Sequence, residues 1–148
     1  MQFDDLSPYS YTRMTSKASL KNVGWLSESV PFCQAPTPPG LLAKIEAATL
    51  PLRNPMRGIH GCPLCEHEHI SEAIEGREFL LGMSEAWFPS PHDEVIYIAP
   101  SLLLHYVKRH DYLPPTELVQ AAVALPASEA EWDTPRGAYR KLVKRYGD

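Results

Sequence analysis

The sequence is short of cysteine, and it has no long hydrophobic run. Three cysteines in 148 residues are too few for a disulfide framework. Two of them sit in Cys62-Pro63-Leu64-Cys65, a spacing that suits metal binding and leaves Cys33 as a spare thiol. Nothing approaches the roughly 18 consecutive apolar residues of a membrane-spanning helix, so no transmembrane segment is expected. The start, Met1-Gln2-Phe3-Asp4-Asp5, is acidic and carries no apolar stretch, which argues against a secretory leader and points to the cytoplasm. The metalloprotease signature HExxH is missing. The deaminase order, H-x-E and then P-C-x-x-C, is missing as well, because His92-Asp93-Glu94 follows the cysteines and Gly61 precedes Cys62.

What the chain does contain is ordinary for one globular domain. Apolar residues make up 44% and charged residues 22%, and the length suffices for a core of its own. Fifteen prolines are about twice the usual share, and they fall in pairs or at element starts, where they punctuate the chain. The net charge of −4 is unevenly spread. Arg136, Arg140, Lys141, Lys144 and Arg145 crowd the end, which leaves nine basic and seventeen acidic side chains in the first 135 residues. An acidic body is a poor nucleic-acid surface and a suitable one for a basic protein.

Residues 1–36 read as irregular, with a short strand over Val23–Leu26 and Trp25 as a core anchor. Cys33 reads as a buried, inert thiol. Thr37-Pro38-Pro39 suggests an N-cap and prolines in the first turn of a helix carrying Leu41, Leu42, Ile45 and Ala48. Glu66-His67-Glu68-His69, with Glu72, Glu75 and Glu78, reads as a charged stretch. One strand is expected over Phe79–Phe88 and another over Val95–Ala99, joined by a turn at 89–94. Pro100-Ser101 opens a helix with Ser101 as its cap, and Asp111-Tyr112-Leu113 breaks it. Pro114-Pro115 starts the next helix, whose inward face should hold Leu118, Val119, Ala122 and Val123. A polar linker covers 126–134. A basic helix over 135–148 then follows, with Tyr139, Leu142, Val143 and Tyr146 on one face.

Cys62, Cys65, His105 and His110 form the ligand set of a closed tetrahedral Zn²⁺ site, one structural ion per chain. Thiolates bind zinc because they are soft and charged, and imidazoles complete the shell. The order is a CxxC knuckle, a hairpin, then a helix, within a metal-binding core spanning 56–112. That order predicts an α+β, treble-clef-like single domain over 1–148 with additional packed helices. Thirty-nine residues separate Cys65 from His105, too many for a DNA-reading C₂H₂ finger. Positions five apart on an ideal helix point about 140° away from each other, so the two histidines converge only if the helix ends or tightens between them. His60 is the substitute for one of the later histidines, while His67 and His69 read as solvated. The bland alternative is two core cysteines and two surface histidines.

Several stretches carry a resemblance: Leu6-Ser7-Pro8-Tyr9-Ser10-Tyr11, Asn22-Val23-Gly24-Trp25-Leu26, Arg57-Gly58-Ile59-His60-Gly61-Cys62-Pro63-Leu64-Cys65, Tyr97-Ile98-Ala99-Pro100, and His105-Tyr106-Val107 through Pro114-Pro115. Over roughly residues 5–125 the chain resembles an uncharacterised family of small bacterial proteins that are suspected zinc binders. The resemblance implies a metal site and, among such proteins, immunity-type or other interaction roles.

The expected function is therefore a non-enzymatic, zinc-stabilised protein-interaction module, with an immunity or antitoxin protein facing a basic toxin or effector as the specific case. No catalytic residue is expected. Two alternatives stay open. One is a metal-dependent enzyme acting on a small molecule through Cys62, Cys65, one histidine and Glu66 or Glu68 as base. The other is nucleic-acid binding through the basic terminal helix, whose charges otherwise read as a solvated face that complements the helix dipole.

Overall fold

The computed structural model describes residues 2–147 and is a mixed α+β fold with small sheets and four helices. A three-stranded sheet has the order β1 (Ser19–Asn22), β5 (Val95–Pro100), β4 (Glu85–Pro89). β5 lies in the middle, parallel to β1 and antiparallel to β4. Its β-branched and aromatic run is buried from Ile96 onward, as a strand covered on both faces requires. Helix α1 (Leu41–Thr49) packs on β4 and on α2 (Leu103–His110) and α3 (Thr116–Val123). The strand expected at Val23–Leu26 is not there; β1 lies four residues earlier and ends at Asn22. Trp25 is buried beyond it and donates its indole N–H to the Ile98 carbonyl at 3.0 Å.

The expected single strand over Phe79–Phe88 is two strands in two sheets. Gly82, at φ 95°, divides β3 (Arg77–Leu81) from β4. Here the chain passes so close to His60 that any side chain at Gly82 would run into the His60 carbonyl oxygen. The charged stretch contains a strand of its own, β2 (Ile70–Ile74), paired antiparallel with β3. Its period-two burial places Ile70, Glu72 and Ile74 inward. The β2–β3 ribbon and the β4–β5 hairpin thus follow one another between the cysteines and α2.

Other boundaries moved for local reasons. α1 starts after Gly40, whose φ of 81° reverses the chain, rather than within Thr37-Pro38-Pro39. Ser101 does not cap α2; its hydroxyl accepts the Gly82 N–H at 2.8 Å instead. On α3, Leu118, Ala121 and Ala122 face the core, while Val123 is 43% exposed. Cys33, expected to be buried, is exposed. Segment 126–134 is no loose linker: it contains a 3₁₀ turn and buries Trp132, whose indole N–H meets the Pro126 carbonyl at 2.8 Å. The last helix, α4 (Ala138–Tyr146), begins after Gly137 rather than at Pro135.

The amino-terminal arm is irregular yet firmly tied. Leu6 and Tyr9 donate backbone N–H groups to Asn22 and Leu20 on β1. Tyr9 also reaches Glu85, a fully buried carboxyl, at 2.5 Å, and Trp87 donates to the same group at 2.9 Å. Burial outweighs these donors and holds the Glu85 carboxyl above its ordinary range. Such a group stabilises the fold most below its unfolded pKa, and that contribution is lost as pH rises through the folded value. Relative to wild type, Glu85→Gln is therefore expected to gain stability as pH rises above 4.5, the ordinary glutamate value, in urea melts. A difference independent of pH would refute the raised carboxyl.

Candidate metal centre

Four ligand-type side chains meet between the loop before β2 and helix α2. The knuckle is a tight turn in which Cys65 donates its N–H to the Cys62 carbonyl at 3.2 Å. Leu64 points its N–H at the Cys62 sulfur, 3.3 Å away. Gly61 permits the approach, since a Cβ there would meet the Glu68 backbone at 2.8 Å. From α2, His105 and His110 turn their Nε2 atoms inward. Cys65 Sγ lies 3.2 Å from each of them, Cys62 Sγ lies 3.5 Å from that of His110, and the two nitrogens are 3.3 Å apart. All four ligand atoms fall within 4.8 Å of one another, a group that could hold a metal ion.

The spacing is of the size a metal ion needs. With Zn–N near 2.0 Å and Zn–S near 2.3 Å, a regular tetrahedron has edges of about 3.3 Å between nitrogens and about 3.5 Å between sulfur and nitrogen. The observed contacts match both edges to within a few tenths of an ångström.

The five-residue histidine step is resolved by the end of α2. Asp111 takes a left-handed conformation, φ 55°, and its N–H goes back five residues to the Tyr106 carbonyl. The last turn is thus wider than an α-turn, not tighter, and one extra residue per turn swings His110 round toward His105.

Behind His105 stands Glu72, a residue that pattern reading placed in a charged stretch without a role. It is 3% exposed and accepts from His105 Nδ1 at 2.9 Å. Arg109 holds the same carboxylate with two hydrogen bonds of 3.2 Å, and Lys108 lies 3.5 Å away. Burial alone would raise the Glu72 carboxyl, but the hydrogen bonds from Arg109 and His105 and the charges of Arg109 and Lys108 bring it below its usual value. A carboxylate on Nδ1 fixes the tautomer that leaves Nε2 free to ligate, as carboxylate–histidine–metal arrangements do. The alternation of Ile70 and Ile74 around Glu72 is the one sequence signal that could have revealed it.

The electrostatics suit a cation. Burial, together with the neighbouring Cys65, pushes the Cys62 thiol up to about 11, although the Leu64 N–H pulls the other way. A dication would invert that balance and take both sulfurs as thiolates. Burial and the nearby His105 lower the His110 pKa despite Asp111, which favours the neutral imidazole a metal requires.

The structure brings together Cys62, Cys65, His105 and His110, and it leaves out His60. That side chain is exposed and its Nε2 lies 3.1 Å from the Tyr11 hydroxyl. His67 and His69 are exposed as well. No helix among the described residues is long and apolar enough to cross a membrane.

The molecule is thus an α+β protein with a Cys₂His₂ cluster that clasps a knuckle to a distant helix. Residues 1–123 match the family described as Domain of unknown function (DUF7919), and with most of its length covered the chain belongs to that family. No curated protein and no solved structure matches it. The whole cluster and Glu72 lie inside the matched segment; the 3₁₀ turn, Trp132 and α4 lie beyond it.

Proposed function

We propose that Cys62, Cys65, His105 and His110 hold one structural Zn²⁺, and that the protein is a non-enzymatic module whose work is to bind another protein. The observation that supports the first half is the convergence of four ligand atoms within 4.8 Å of one another; four protein ligands around one Zn²⁺ would make a closed site with no position left for water or substrate. The knuckle, the β2–β3 ribbon and α2 serve as the three parts of a treble-clef plan, with the β4–β5 hairpin inserted. Native protein is expected to contain about one zinc per chain. Its cobalt-substituted form should show a tetrahedral S₂N₂ spectrum unmoved by azide.

A cleft of about 450 Å³ beside the two sulfurs, bordered by Glu66 and Glu68, is the feature that favours a metal-dependent enzyme instead. A cobalt spectrum that shifts with azide would reveal an open coordination position and decide for that reading.

The partner-binding half rests on the charge of the surface next to the cluster. Glu66, Glu68, Glu75 and Glu78 are exposed on the knuckle and ribbon, outnumbering the exposed Arg77 and Arg109, and Leu80 is 40% exposed on the outer face of the ribbon. An acidic rim around an apolar point steers a basic partner and gives it an anchor. The specific role supported by the resemblance is that of an immunity or antitoxin protein neutralising a basic effector in a bacterial cytoplasm. Exchanging Glu75 and Glu78 for lysine is expected to slow association with such a partner and to flatten its salt dependence, read by surface plasmon resonance. An association rate unchanged by the exchange would count against this face.

A further inference from the structure

We propose that the basic terminal helix forms, with the amino-terminal arm, a binding site for a small phosphorylated molecule whose organic part carries a hydroxyl or amino donor. The site is a cleft of about 400 Å³ lined by Lys17, Glu94, Arg136, Lys141, Leu142 and Arg145. Its walls are cross-tied. Thr15 donates its N–H to the Tyr146 hydroxyl at 3.1 Å, Arg136 donates its N–H to the Glu94 carboxylate, and Ser19 donates to the Glu94 carbonyl at 2.8 Å.

Four cations therefore converge from two separated stretches of chain. Among the described residues none of the four makes an ion pair, whereas Arg140 on the same helix is taken up by Glu129 at 3.3 Å. Lys141 and Arg145 stand one helical turn apart, a like-charge spacing that weakens a helix. A face meant only for solvent has no need to bring Lys17 and Arg136 to the same place. Phosphate is the anion this set fits best, since arginine forks and lysine point charges both serve it.

Glu94 narrows the ligand class further. Its Oε1 receives the Arg136 N–H, while its Oε2 is buried with no hydrogen-bond partner. A buried carboxylate oxygen left alone is costly, and a turn of the Glu94 side chain toward the cleft would let a hydroxyl or amine on the ligand satisfy it. Leu142 and Ala138 supply an apolar floor for the organic part. The volume falls within the range of small-molecule clefts, and the charged lining suits an ionic ligand.

The test is a titration of the full-length, zinc-loaded protein at constant ionic strength, followed by calorimetry and by amide NMR shifts. Ribose 5-phosphate is expected to bind saturably below about 10 mM, more tightly than inorganic phosphate, with ribose alone not binding. The exposed pair Lys141→Gln and Arg145→Gln should weaken ribose 5-phosphate by roughly tenfold or more while melting normally. Glu94→Gln should erase the preference of ribose 5-phosphate over inorganic phosphate. The proposal is overturned by absence of saturable shifts at residues 15–17, 94 and 136–145, or by unchanged affinity in the double variant. It is also overturned if a single-stranded RNA occupies the same residues more tightly, with the steep salt dependence of a polyanion.

Discussion

Cys65→Ser is expected to abolish the cooperative thermal transition of the native protein, or to lower it so far that the chain is largely unfolded at room temperature. Structural zinc contributes on the order of 10 kcal/mol or more of folding free energy, comparable with the whole net stability of a domain, about 5–15 kcal/mol. The geometry says where the loss should begin. From Asn54 to His69 the chain has no helix or strand, and its backbone is tied to the body at few points, among them Met56 to Met83 and His60 to Gly82. A connection that long needs a cross-link to hold it, and the proposed zinc would supply one from the knuckle to α2. Limited proteolysis of the variant, or of chelator-treated wild type, should cut first within 54–69. Cys33→Ser, an exposed thiol outside the cluster, should melt as wild type does. A Cys65→Ser variant with an unchanged melting curve would overturn the structural zinc.

The four clustered residues were legible because their chemistry is carried by identity and spacing, which survive without knowledge of the fold. Cys62 and Cys65 announce a knuckle, and His105 and His110 announce a pair near a helix end. Their supporter was not legible. Glu72 sits among glutamates that are exposed, and only the parity of Ile70, Glu72 and Ile74 separates it from Glu75 and Glu78. Gly82 was lost in an apolar run for a similar reason: the need for a glycine comes from His60, twenty-two residues earlier, passing at its back. Trp132 and Cys33 erred in opposite directions. One apolar residue in a polar stretch is buried by a tail that folds back, and a thiol beside Phe32 is left outside because Phe32 itself takes the contact with Tyr112. Residues 2–12 were opaque because their order comes from hydrogen bonds to β1, Glu85 and Tyr112, none of them local.

Glu72→Ala is expected to weaken zinc affinity by about 10- to 100-fold, the usual consequence of losing the carboxylate behind a ligating histidine. Two sets of contacts end at Glu72, and their burial decides which matters. The His105 imidazole and the Glu72 carboxylate are 7% and 3% exposed, so their hydrogen bond is made in a dry setting. The Arg109 side chain is 58% exposed, so solvent screens most of its pairing with Glu72. Arg109→Ala should therefore change zinc affinity little, whereas Glu72→Ala leaves His105 Nδ1 without its acceptor and frees the ring to turn Nε2 out of the cage. Glu72→Gln keeps an acceptor but no charge, so it should fall between the two. Competition of each variant against a chromophoric chelator at neutral pH measures the effect directly, apart from any change in melting temperature. If Glu72→Ala holds zinc as tightly as wild type, the carboxylate only neutralises Arg109 and Lys108, and His105 is oriented by its packing in α2 alone.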